Sequence, residues 1–277
     1  MKDQTQPQVS GFQIAFLVIA VLLLGAPAEK YLFGRWAWGQ EQGLPVTRFA
    51  IFTLAIAIFL TVPALRRLCR GLLSESIPKD KRPEVGIVLV IHVACAFAAL
   101  GAVVLLAWSR GWEPALARFV GEQAKDAEQM SQALSVGGVL TFLVLAGFIA
   151  PIVEELVFRG MLYRAWAERW GWLAAALATS FLFAIIHPNK FSQFFASILY
   201  IGLYRRTGSL RAPILVHGLF NMLMWYPLVG QFLFPNAARG TGELSYFTVN
   251  LVALGAVAVA LPFYLWMARD KKSLLRR

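Results

Sequence analysis

The sequence predicts an all-α polytopic membrane protein with about eight transmembrane helices and both termini on the cytoplasmic side. Three observations predict it. Of 277 residues, 58% are hydrophobic and only 15% are charged, whereas a globular domain carries close to a quarter charged. Apolar runs near the roughly 20 residues needed to cross hydrocarbon recur along the chain. Basic residues gather between those runs on alternate sides, as inner-leaflet anchoring requires. One transmembrane domain, 1–277, is expected to hold the whole chain.

The runs are 11–28, 48–65, 85–108, 137–158, 173–187, 192–204, 212–234 and 247–267. APA at 26–28 also fits a cleavage site after a signal segment, an alternative weakened by a basic start of only Lys2 beside Asp3. The polar stretch 109–134 reads as an amphipathic surface helix in an outer loop. The fifth and sixth runs are short and are divided by HPNK, 187–190, a tight turn. Pro188 there biases His187 away from helical backbone angles. With both termini inside, 18 of the 26 lysines and arginines fall on the inner side. The expected location is therefore integral to a bacterial or archaeal cytoplasmic membrane, with the bilayer as a partner and any polar cavity opening toward the cytoplasmic side. The net charge of +11 lies in the loops, with no separate basic domain, which argues against nucleic acid. Cys69 sits in a basic segment and Cys95 in an apolar run; their different depths argue against a disulfide, and no Cys-rich metal pattern exists.

The fourth run is interrupted by PIVEELVFRG, 151–160. A charge at the centre of a bilayer costs roughly 2.5–3.5 kcal/mol on insertion scales. Glu155 and Arg159 are four apart, acid first, which is the favourable order for a helical pair. Glu154 points about 100° away and has no local partner. Its partner must come from another helix or from water. Of the three histidines, His92 lies within an apolar run and reads as a packing group. His187 follows Phe183 by four residues, and His217 precedes Asn221 by four. Glu155 and His187 lie 16 residues either side of Gly171, near the apex of the ERWGW turn. At 1.5 Å per residue both sit about 24 Å from it, level with each other. Pro151 frees the carbonyl of Gly147 and predicts a kink beside the acid.

A carboxylate with an imidazole can hold and deprotonate a water. An imidazole with an amide on a facing helix can donate to a developing oxyanion. Glu154, being unpaired, is the expected base. These residues also resemble a family: EELVFR fits EExxxR, FAIIH fits FxxxH and HGLFN fits HxxxN. The chain resembles the CAAX-protease and bacteriocin-processing (CPBP, or Abi) intramembrane proteases, which include the type II CAAX prenyl endopeptidases. The resemblance covers about 137–225, the expected catalytic core. It implies an intramembrane endopeptidase acting on a membrane-embedded or lipidated peptide or protein, of CAAX or leader-bearing type. It implies that Glu154 and His187 activate the water, that His217 and Asn221 form the oxyanion hole, and that Glu155 and Arg159 support the site. Phe183 fits the pattern as well, and reads by itself as packing.

Glu154, His187 and His217 could also supply three ligands to zinc or another divalent metal, leaving a fourth position for water. A metal-free site is the favoured reading, because zinc bound by Glu154 would leave no obvious base. An ion- or proton-coupled transporter is the rival from another class, since acids and histidines within membranes also line pumps; matching broken helices in two halves, which it would favour, are not evident. A non-catalytic scaffold or bacteriocin-immunity protein is disfavoured because every catalytic-type position is filled.

Overall fold

Helix is the regular structure of the residues described, 57–112, 143–187 and 190–233 with positions 55, 140, 255, 258–262 and 264 of the computed structural model; no strand occurs among them. Helix α1, Pro63–Ser74, starts on a proline and ends where Glu75 becomes extended. A single 3₁₀ turn, Lys79–Lys81, leads into the long helix α2, Arg82–Ser109. A continuous helical stretch then runs from Leu145 to Trp170, but its winding changes along its length. Leu145–Ile149 is a widened π-helical turn, followed by α3, Ala150–Glu155. Leu156–Tyr163 is π-helical again and passes into α4, Arg164–Trp170. Gly171, at φ 79°, ends α4 and opens α5, Trp172–Ile185; the positive φ suits the residue without a Cβ. Helix α6, Lys190–Thr207, follows, and α7 spans Arg211–Leu233.

Helix α6 lies between α5 and α2, while α7 packs on α2, on α3 and on the first π turn. Two apolar clusters result. One holds Phe158, Leu162, Phe183 and Leu210; the other holds Val88, Leu199, Tyr200 and Val216. Arg159 lies over a ring from each, Phe183 and Tyr200, so its guanidinium stands where the two clusters meet.

The arrangement of spans is a correction to the sequence reading. Among the described residues no helix is long and apolar enough to cross a membrane. Helix α5 has 14 residues, about 21 Å of helix against a hydrocarbon core of about 30 Å. Helix α6 begins at Lys190 and has Arg205 and Arg206 in its last turn. The run expected at 137–158 is divided among two wide turns and a six-residue α segment. The run 11–28, the segment 113–134 and the pair Pro188–Asn189 lie outside the described residues. Four expectations rested on the eight spans and fall with them. These are the integral-membrane location with a cavity facing the cytoplasm, the bilayer partner, the membrane-embedded or lipidated substrate, and the intramembrane CAAX-type endopeptidase. The transporter alternative falls for the same reason. The two short runs, 173–187 and 192–204, are near the length that buried protein cores also produce, and hydropathy alone does not separate the two.

Candidate functional site

Pro151 has no backbone N–H, so the carbonyl of Gly147 loses its helical donor. The preceding turn opens to π geometry instead, closing with Ala150 N–H on the Leu145 carbonyl. The carbonyls so released are met by α7. Asn221 Nδ2 donates to the Ala146 oxygen at 2.7 Å. Gly218 passes so close to the Gly147 oxygen that a Cβ there would overlap it. The local break in one helix therefore sets the position of the other, with His217 and Asn221 on it.

Glu155 and Arg159 are fully buried, and Arg159 Nη1 donates to Glu155 Oε1 at 2.8 Å. The same oxygen also accepts from His217 Nδ1 at 3.0 Å. A carboxylate oxygen only accepts, so the Nδ1 of His217 carries a proton. His187 follows the end of α5, and its Nδ1 donates to the Phe183 carbonyl at 2.6 Å, which fixes its ring in the same sense. Both imidazoles then turn Nε2 toward Glu154. Oε2 of Glu154 lies 3.5 Å from His187 Nε2 and 3.8 Å from His217 Nε2. Those separations are longer than hydrogen bonds, and this buried oxygen has no hydrogen-bond partner.

Burial disfavours the charge on Glu154, but His187, and then His217 and Arg159, outweigh it and hold the carboxyl below its usual value. Burial also lowers Arg159, opposed chiefly by Glu155. Phe183 is the shared wall. Its ring lies 4.4 Å from the Arg159 guanidinium carbon, 4.3 Å from the His187 ring and 5.9 Å from the His217 ring.

The structure thus brings together Glu154, Glu155, Arg159, Phe183, His187 and His217, and places Asn221 one turn beyond His217 on α7 with its amide engaged by Ala146. Among the described residues no group of three or more His, Cys, Asp or Glu is arranged to hold a metal ion.

With this geometry in hand, the comparisons with known proteins bear on the site. Residues 136–223 match the family model described as type II CAAX prenyl endopeptidase Rce1-like. The match is partial. It takes in every residue of the site and none of helices α1 and α2. YdiL of Bacillus subtilis (strain 168), provisionally named a membrane peptidase, is 23% identical over 222 residues, covering 75% of this chain and 84% of that protein. The UPF0177 protein YbdI of Lactococcus lactis subsp. lactis (strain IL1403) is 32% identical over 85 residues, 29% of this chain and 45% of that protein. No solved structure matches. These are low-identity likenesses to the CAAX-protease superfamily over part of the chain.

Two residues that the sequence motifs did not connect with the site adjoin it, Tyr200 directly and His92 through Tyr200. Tyr200 on α6 places its ring 5.1 Å from the Arg159 guanidinium carbon and 5.3 Å from the His217 ring. His92 on α2, read as a packing group, meets the Tyr200 hydroxyl through Nδ1 at 2.7 Å. Neither lies in a spacing motif, and only the long-range packing of α2 and α6 joins them to the cluster.

Proposed function

We propose that Glu154, His187 and His217 form a hydrolytic site in which Glu154, aided by His187, activates a water for attack on an amide carbonyl. We also propose that the segment 136–223 is a member of the Rce1-like family it matches, with about 137–225 as the catalytic core. One observation carries the reading: a buried carboxylate oxygen without a hydrogen-bond partner faces two imidazole Nε2 atoms at 3.5 and 3.8 Å. Three polar atoms so spaced suit a water within hydrogen-bond reach of all of them. Glu154 takes the water's proton as the oxygen attacks, and the same proton can pass to the leaving nitrogen. The oxyanion is served by His217 and Asn221. Because Nδ1 of His217 donates to Glu155, donation through Nε2 as well requires the doubly protonated ring. Asn221 has a second amide hydrogen beyond the one given to Ala146. Arg159 neutralises Glu155, and Phe183 fixes the planes of the imidazoles.

The peptidase name of YdiL suggests a peptide bond as the amide. The test compares the wild-type protein with Glu154→Gln on a mixed library of internally quenched peptides. The variant keeps the shape and loses the base, so cleavage should fall by about 10²–10⁴-fold. Cleavage by the variant at the wild-type rate, or none by either protein, overturns the assignment.

A further inference from the structure

We propose that His92 and Tyr200 are a positioning pair for the candidate active site, holding His217 and Arg159 through the aromatic ring between them. This rests on the hydrolytic reading only for its activity readout.

The pair closes a loop through three helices. His92 on α2 stacks on Phe220 of α7, with centroids 3.4 Å apart and planes 19° from parallel. Its Nδ1 meets the hydroxyl of Tyr200 on α6 at 2.7 Å. The Tyr200 ring returns to α7 against His217 and reaches Arg159. Both residues are fully buried. Tyr200 therefore touches each of the two donors that share Glu155 Oε1. A packing aromatic needs no hydroxyl, and a packing imidazole in an apolar cluster leaves a polar atom to satisfy; His92 Nε2 is in fact buried with no hydrogen-bond partner. Such a group is costly, and the fold retains it where its other nitrogen orients Tyr200. Burial keeps His92 neutral and Tyr200 a phenol, so the hydroxyl donates and Nδ1 accepts. Loss of that bond frees the ring to tilt, and with it the plane of His217.

Two variants separate positioning from stability. Tyr200→Phe removes the hydroxyl alone and leaves Nδ1 of His92 without its donor. His92→Phe combined with Tyr200→Phe removes both polar partners, which returns stability toward wild type. The readouts are thermal stability, peptide hydrolysis, and the ¹⁵N shifts of the His217 ring, which report which nitrogen carries the proton. Expected results are a lowered Tm for the single variant and a recovered Tm for the double. In both, kcat should fall about 10-fold, within the range seen for groups supporting a reactive side chain, with KM little changed and altered His217 ring shifts. If the double variant recovers both Tm and wild-type His217 shifts, the pair is structural and the proposal is overturned. The ring shifts are read whether or not the wild type cleaves peptides, so the two proposals fail separately.

Discussion

Among the described residues, two glutamate–arginine pairs differ in what surrounds them. Glu155 and Arg159 lie on one helix, fully buried, with Arg159 Nε, Arg159 Nη2 and Glu155 Oε2 lacking hydrogen-bond partners. Glu84 and Arg206 join α2 to α6 near the surface in a two-pronged contact, Arg206 Nε to Oε2 and Nη2 to Oε1, the latter at 2.7 Å. Lys81 adds a third charge at 3.2 Å. The outer pair is satisfied and ties two helices. The inner pair is incompletely satisfied, and a well-packed apolar pair in its place would often be as stable or more so. Its retention therefore points away from stability and toward the imidazole that shares its oxygen.

The comparison is broken most directly at Glu154. Glu154→Gln should lower cleavage of the quenched peptides by about 10²–10⁴-fold. Next comes Arg159→Met, which leaves the Glu155 carboxylate buried beside His217 alone. Removing one member of such a pair costs about 3–5 kcal/mol, read from urea denaturation; a loss near zero would place Arg159 with the outer pair. Gly218→Ala should cost about 1–3 kcal/mol as overpacking, because its Cβ meets the backbone oxygen of Gly147. Gly160→Ala is the control: its Cβ meets first the tip of the Leu72 side chain, at 2.8 Å, which can turn aside, and its cost should be smaller.

The smallest effect belongs to the outer pair. Burial raises the Glu84 carboxyl, but Arg206 and Lys81 outweigh it and hold it below its ordinary value. The folded value lies below the unfolded one. The contribution is therefore complete above the unfolded carboxyl value, about 4.3, and is lost as pH falls through the folded value. Glu84→Gln should remove that acid-side loss and change stability at neutral pH by about 1 kcal/mol or less, an effect weakened by salt. Denaturation followed between about pH 6 and pH 3 checks both. An equal acid-side loss in the variant would assign it to other carboxylates.

The convergence of the candidate residues was more legible in the sequence than the arrangement of the helices. Glu154, His187 and His217 stand out because a polar side chain within an apolar run demands a partner, and spacings of four put the candidates on helix faces. Sharing of Glu155 Oε1 between Arg159 and His217 was not legible, since it depends on how α7 crosses the broken helix. Pro151 announced the break, but not that Asn221 would meet it. His92 and Tyr200 are 108 positions apart, beyond any local pattern. The span expected at 173–187 was misread for a physical reason: hydropathy records that a segment is buried, and α5, at 14 residues, is buried on part of its surface by neighbouring helices rather than long enough to traverse lipid.

The oxygen shared by Arg159 and His217 has an evolutionary corollary. Two donors from different helices converge on that one atom of Glu155, so drift at any one of the three residues disturbs the other two. Tolerated replacements should arise as coupled sets, and fitness measured for double changes should depart from the sum of the singles by far more than it does for the Glu84–Arg206 tie.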